Sequence, residues 1–188
     1  MKAKIGRALS IAGHPFIVTP LAVTIATWSG SARERVVILG LLAAAMLAVA
    51  VHVVRRHRRG EVSDIDVSTR EHRPAVFRVA IGSLLLVMLA LHLTGANPAA
   101  FRGAAVATGL FVACAIANRS IKVSLHTAFA MLAAGIVWPA NPLGGSIFAA
   151  LACVIGWGRI AYGRHTPREV ALGLLLGTTA AVTLVMVL

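Results

Sequence analysis

The sequence predicts an all-α fold, a polytopic integral membrane bundle of six to seven transmembrane helices, and three observations predict it. Hydrophobic residues fill 59% of the 188 positions and charged residues only 13%, with a mean hydropathy of +0.86. That is too apolar for a soluble domain of this size. Apolar runs of crossing length recur along the whole chain, and the connections between them alternate between plain and heavily charged, as the two faces of a membrane protein do.

Crossing a hydrocarbon core of about 30 Å takes roughly 20 helical residues at about 1.5 Å each. The candidate runs are 11–29, 36–54, 76–94, 99–117, 125–140, 144–160 and 170–188. The first carries Pro15 and Pro20, so it reads either as a crossing or as a re-entrant or interfacial element. The fifth is short and ends at Pro139. Six crossings plus one irregular element therefore stands beside seven. No small-residue cleavage site follows the first run, so it is expected to be retained. With no fixed-period repeat and no low-complexity linker, residues 1–188 are expected to form a single membrane domain. Cys114 and Cys153 lie inside apolar runs and read as packing thiols, with no disulfide framework and no metal spacing.

Three connections are plain: SGSARER, TGANP and PANPLGG. Three are loaded: Arg55 to Pro74, Asn118 to Val123, and Gly158 to Glu169. If every run crosses, the loaded connections share one side with Lys2, Lys4 and Arg7. Fifteen of the eighteen Lys and Arg then lie on that face, and Arg33, Arg35 and Arg102 on the other. By the positive-inside rule the loaded face reads as cytoplasmic, and the expected location is the plasma (inner) membrane. The net charge of +12 belongs to this asymmetry. With only 5% aromatic residues the chain lacks base-stacking platforms, so nucleic acid is not an expected partner, whereas anionic lipid or phosphate is.

The third loaded stretch, GRIAYGRHTPRE, holds Arg159, Arg164, His165 and Glu169. Thr166 at N-cap, Pro167 at the first helical position and Glu169 three residues after the cap make a capping box. His165 thus stands just ahead of a helix N-terminus, where N–H groups and the dipole favour an anion. An interfacial anchor with an ordinary cap explains the stretch equally well by itself. In the second, Lys122, Ser124 and His126 lead into an apolar run. Lys122 alone is a snorkelling lysine and Ser124 alone a cap, but an ionisable His126 one turn inside a membrane segment is a functional candidate. The first stretch packs Asp64, Asp66, Arg70, Glu71, His72, Arg73 and Pro74 together. Glu61, Glu71, His72 and the Arg55 to Arg59 run read as a solvated loop, and Arg73, at a helix start, as a site residue.

Taken together, the three stretches resemble the type 2 phosphatidic acid phosphatase superfamily, whose pattern is KxxxxxxRP, PSGH, then SRxxxxxHxxxD. Arg73-Pro74 match the end of the first part, Ser124 and His126 the second, and Arg159, His165 and Glu169 the third at the full spacing. The chain departs from the pattern at Asp66 for the lysine, Val123 and Leu125 for proline and glycine, Gly158 for serine, and Glu169 for aspartate. The resemblance implies a membrane phosphatase acting on a lipid phosphate or isoprenoid (di)phosphate without metal or cofactor. In it His165 is the nucleophile, Glu169 fixes the His165 tautomer and His126 is the general acid. Arg73, Arg159 and Ser124 hold the phosphoryl oxygens, with Lys122 or Arg70 replacing the missing lysine. Two other readings remain: an Mg²⁺-dependent prenyl or lipid transferase using Asp64 and Asp66, and a non-enzymatic carrier. Asp64 and Asp66 are otherwise expected to pair with Arg70 or to bind a cation.

Overall fold

The computed structural model describes residues 1–95 and 97–188; Ala96, within the TGANP connection, lies outside the described residues. The chain opens with α1 (Lys2–Ala12) and α2 (Pro15–Ala26), bent by 48° at their junction. The bend follows from Pro15, whose ring forces His14 out of helical geometry into an extended conformation. The His14 ring then caps α2 by accepting the Phe16 N–H at 3.2 Å. Ser31 starts α3 (Ala32–Arg58) by accepting the Glu34 N–H at 3.1 Å, and Arg55, Arg56 and Arg58 close it at the negative end of its dipole. A single 3-10 turn, Arg70–His72, leads into α4 (Arg73–Leu93). Asparagine caps followed by proline begin α5 (Pro98–Ala117) and α7 (Pro142–Ala161). Between them lies α6 (Leu125–Val137), and α8 (Pro167–Val187) ends the fold.

Helices α3, α4, α5, α7 and α8 are long and apolar enough to cross a membrane, and the bent α1–α2 pair makes a sixth by length and composition. This is the architecture of an integral membrane helix bundle, with no strand among the described residues. It falls at the low end of the sequence expectation, for a physical reason. The fifth run yields only 13 helical residues, about 20 Å, too short for a lipid-exposed crossing, so it joins the two ends of the bundle from inside a shell of other helices.

Instead α6 is the core. Ten of its residues are buried, whereas in α3 only Ala45 and Val53 are. It is surrounded by α2, α7 and α8, and small residues let the backbones approach. A Cβ on Gly177 would lie 2.5 Å from the Ala128 carbonyl oxygen, and one on Gly135 2.6 Å from the Ala181 Cα. Large apolar side chains such as Leu47, Leu86, Leu89, Ile147 and Leu175 face outward, as a lipid-facing surface requires. Cys153 is on that outer surface, which corrects the expectation of a buried packing thiol; Cys114 is buried as expected.

The loaded connections meet at one end of the bundle. Arg70 donates to the Arg119 and Ser120 carbonyls at 3.2 and 2.8 Å, Arg73 to the Val123 carbonyl at 2.6 Å, and Lys122 to the Arg164 carbonyl at 2.7 Å. At the other end Arg35 donates to the Trp28 carbonyl and Arg102 to that of Val187.

Candidate functional site

The site begins with the turn from α7 into α8. Gly163, at φ +74°, takes a left-handed conformation that a side chain would resist. The chain doubles back there, so that the Arg164 and His165 N–H groups both donate to the Arg159 carbonyl, at 3.0 and 3.2 Å. Thr166 and Glu169 form the capping box, and the same Glu169 Oε2 that accepts the Thr166 N–H at 3.2 Å lies 2.8 Å from His165 Nδ1. A carboxylate at Nδ1 keeps the proton there and leaves a lone pair on Nε2. Burial, and then the nearby cations Arg159, Arg73 and Lys122, push His165 far below its ordinary 6.5, to about 2. The Glu169 carboxylate pulls the other way, but the ring is neutral at pH 7.

Around this imidazole stand three cations. Arg159 is 1% exposed. Its Nη1 lies 2.8 Å from Asp66 Oδ2 and 3.5 Å from His126 Nε2, and it donates to Ser10 Oγ. Its Nε has no partner among the described residues. Arg73 is buried and held by the Val67 and Val123 carbonyls at 3.0 and 2.6 Å. Lys122 Nζ stands 3.6 Å from Glu169 Oε2. Burial lowers the Lys122 pKa, with Glu169 opposing. Ser124 occupies the N-cap position of α6, but its hydroxyl makes no capping bond and is buried without a partner among the described residues. The α8 turn is tied to this cap by the Ser124 N–H, which donates to the Glu169 carbonyl at 3.2 Å.

His165, Glu169, Arg159, His126, Arg73, Lys122 and Ser124 are therefore gathered at one end of the bundle. Arg70 lies at the same end but does not join the cluster: its guanidinium is spent on the carbonyls after α5 and on Glu71. The expected pairing of the aspartates with Arg70 is also overturned. Asp66 pairs with Arg159; Asp64 bonds Ser68 and Ser63 and lies 3.9 Å from Arg164. Burial raises the Asp66 pKa, but Arg159 and the facing imidazoles outweigh it, so the carboxyl titrates below its usual range.

Sequence reasoning missed Ser10 and His14. The bend between α1 and α2 brings the His14 ring edge-to-face with His126, centroids 5.0 Å apart. The signal was present, since His14 is an ionisable residue in an apolar run directly before a proline. His14, Asp66 and His126 place one potential ligand atom each within 4.8 Å of one another. The cation they face is already supplied by Arg159 Nη1, and the Phe16 N–H at His14 Nδ1 leaves the proton of the neutral ring on Nε2. These residues fit an internal guanidinium better than a metal ion.

A cavity of about 290 Å³ opens beside the cluster. Its walls are apolar, with Val53, Phe77, Phe111 and Phe129, and its polar end is formed by His14, Asp66, Arg73, His126 and Arg159. His165 and Glu169 are not among its lining residues. A larger cavity of about 380 Å³ lies toward the opposite end, between residues such as Leu41, Leu84 and Leu132, away from the cluster.

Compared with protein-family models, with curated proteins and with solved structures, the chain matches none.

Proposed function

We propose that this protein is an integral membrane phosphatase that hydrolyses a lipid phosphate or an isoprenoid phosphate or diphosphate through a phosphohistidine intermediate, without a metal. The observation that carries the reading is the hydrogen bond from His165 Nδ1 to Glu169 Oε2, which leaves Nε2 as a free, neutral nucleophile beside three cations. The resemblance in residue spacing supports it, and so does the cavity, whose apolar walls and cationic end suit an amphiphile with an anionic head.

In this reading His165 Nε2 attacks phosphorus; the N–P bond forms as the P–O bond to the lipid breaks. His126, having taken a proton from solution on Nε2, gives it to the leaving oxygen, then regains one from the water that cleaves the phosphohistidine and releases phosphate. Arg159, Arg73, Lys122 and the Ser124 hydroxyl hold the phosphoryl oxygens. For this, Arg159 turns from Asp66 and His126 toward the substrate, which also frees His126 Nε2 to carry a proton. The loaded end faces the cytoplasm, following the excess of Lys and Arg. Asp64 and Asp66 argue against an Mg²⁺-dependent transferase, because each carboxylate already has a protein counter-ion or hydroxyl partner.

The test is phosphate release from detergent-dispersed lipid phosphates, comparing wild type with His165→Ala. Turnover that survives EDTA, is blocked by vanadate and disappears in the variant supports the reading, as does an acid-labile phosphoenzyme. Undiminished turnover by a folded His165→Ala protein overturns it.

A further inference from the structure

The pair formed by Asp66 and Arg159 is unusual in one respect: its two members differ in setting and access. Arg159 is 1% exposed and held by helix α7, while the Asp66 side chain is 24% exposed, belongs to a connection, and lines the cavity. Asp66 is aimed by a fixed turn. Val67, the next residue, has φ +45°, a left-handed conformation that a β-branched side chain resists. Its side chain packs with Val53 and Val62, and its carbonyl accepts from Arg73 Nε. The fold thus accepts local strain to set a carboxylate against a buried guanidinium at the mouth of an apolar cavity.

We propose that Asp66 is a specificity-determining counter-ion, whose carboxylate occupies the anion seat on Arg159 so that a doubly charged terminal phosphate displaces it and a singly charged phosphodiester does not. The inference rests on reading the cluster as an anion site. The cationic end of a cavity in a membrane bundle is exposed to phosphodiester headgroups in large excess over any phosphomonoester, and Arg159 and Arg73 with no carboxylate beside them would bind these. A diester carries the same unit charge as the carboxylate and gains nothing by exchange. A terminal phosphate brings a second charge, which Arg73, at the same end of the cavity, also meets. The displaced Asp66 keeps the imidazoles of His14 and His126 beside it, each with a ring nitrogen within 4.8 Å.

The experiment is a binding titration of the full-length protein in detergent at pH 8, with phenylphosphonate as a non-hydrolysable dianion and its monomethyl ester as the monoanion. Wild type is expected to favour the dianion by about tenfold or more, a difference of about 1.4 kcal/mol. Asp66→Asn is expected to bind the monoester about tenfold more tightly than wild type does, bringing the ratio toward one. Asp66→Glu, which restores the charge, keeps the preference. A wild-type ratio near one overturns the proposal even where Asp66→Asn fails to fold. An unchanged ratio in a folded Asp66→Asn protein, or no binding of either probe, overturns it as well. Because no turnover is involved, this outcome is separate from that of the phosphatase assay.

Discussion

Glu169 Oε2 accepts two hydrogen bonds, from the Thr166 backbone N–H at 3.2 Å and from His165 Nδ1 at 2.8 Å, so one carboxylate both caps the start of α8 and orients an imidazole. The two roles separate by substitution. Glu169→Gln keeps an acceptor for the Thr166 N–H but removes the charge that fixes the tautomer. It is expected to lower kcat by roughly 10²- to 10⁴-fold with little change in Tm. Thr166→Ala removes the cap and is expected to cost about 1 kcal/mol, a drop of roughly 2–4 °C, with kcat within about tenfold of wild type. Wild-type kcat in Glu169→Gln would remove the orienting role.

Lys122, ahead of Arg70, was the preferred candidate for the charge that the Asp66 position does not supply, and the two side chains make different contacts. Lys122 Nζ reaches the Arg164 carbonyl and lies 3.6 Å from the carboxylate that holds His165, whereas Arg70 braces the connection after α5. Lys122→Ala is expected to raise KM for a lipid phosphate by about tenfold or more, in line with roughly 1.5–3 kcal/mol for a hydrogen bond to a charged group. Arg70→Ala is expected to leave KM unchanged and to lower Tm by a few degrees, since its bonds are to backbone. The reverse pattern in steady-state kinetics would move the phosphate contact to Arg70.

The His165 imidazole also sets a pH dependence of stability. Burial and the cations Arg159, Arg73 and Lys122 lower its pKa in the folded state to about 2 from an ordinary 6.5, so below pH 6.5 the unfolded chain binds a proton that the folded chain does not. Stability contributed by this group is intact above 6.5 and declines as the pH falls toward the folded value. Between pH 7 and 5 the wild-type Tm is therefore expected to fall more steeply than that of His165→Asn, measured in the same detergent. Parallel curves would mean that the folded imidazole titrates normally. Asp66 acts in a lower window, because its depressed pKa withdraws stability only below about 4.

The helical membrane architecture and the charge sorting were legible because they depend on local composition and on chain order. Runs such as 36–54 and 170–188 are apolar whatever they pack against, and alternation of crossings then places the loaded connections together. The capping box at Thr166 and Glu169 was legible for the same reason, being contained in four residues. The partner of Asp66 was not, since Arg159 is 93 positions away and the choice between it and Arg70 depends on how α7 crosses the connection after α3. His14 and Ser10 escaped because their role arises from a bend, and Pro15 predicts a bend but not its direction. The centrality of α6 was hidden too: its shortness was visible, but a short apolar run reads as an imperfect crossing until the helices around it are known.

Close packing between α6 and α8 connects that buried helix to the site. A Cβ on Gly173 would stand 2.3 Å from Thr127 Oγ1 and 2.6 Å from the Ser124 carbonyl oxygen, both parts of backbone or of a buried side chain with little room to yield. Thr127 Oγ1 also donates to that same carbonyl, at 2.9 Å, so the displaced atoms belong to the first turn of α6. Gly173→Ala is therefore expected to destabilise by about 1–3 kcal/mol, as overpacking does. It is also expected to lower kcat, because pushing α6 from α8 separates Ser124 and His126 from His165. Gly82→Ala on α4, where a Cβ would meet nothing within 4 Å, is the matched control and is expected to change neither Tm nor kcat. Equal behaviour of the two variants in thermal melts and phosphate release would show that the α6–α8 contact does not position the two histidines.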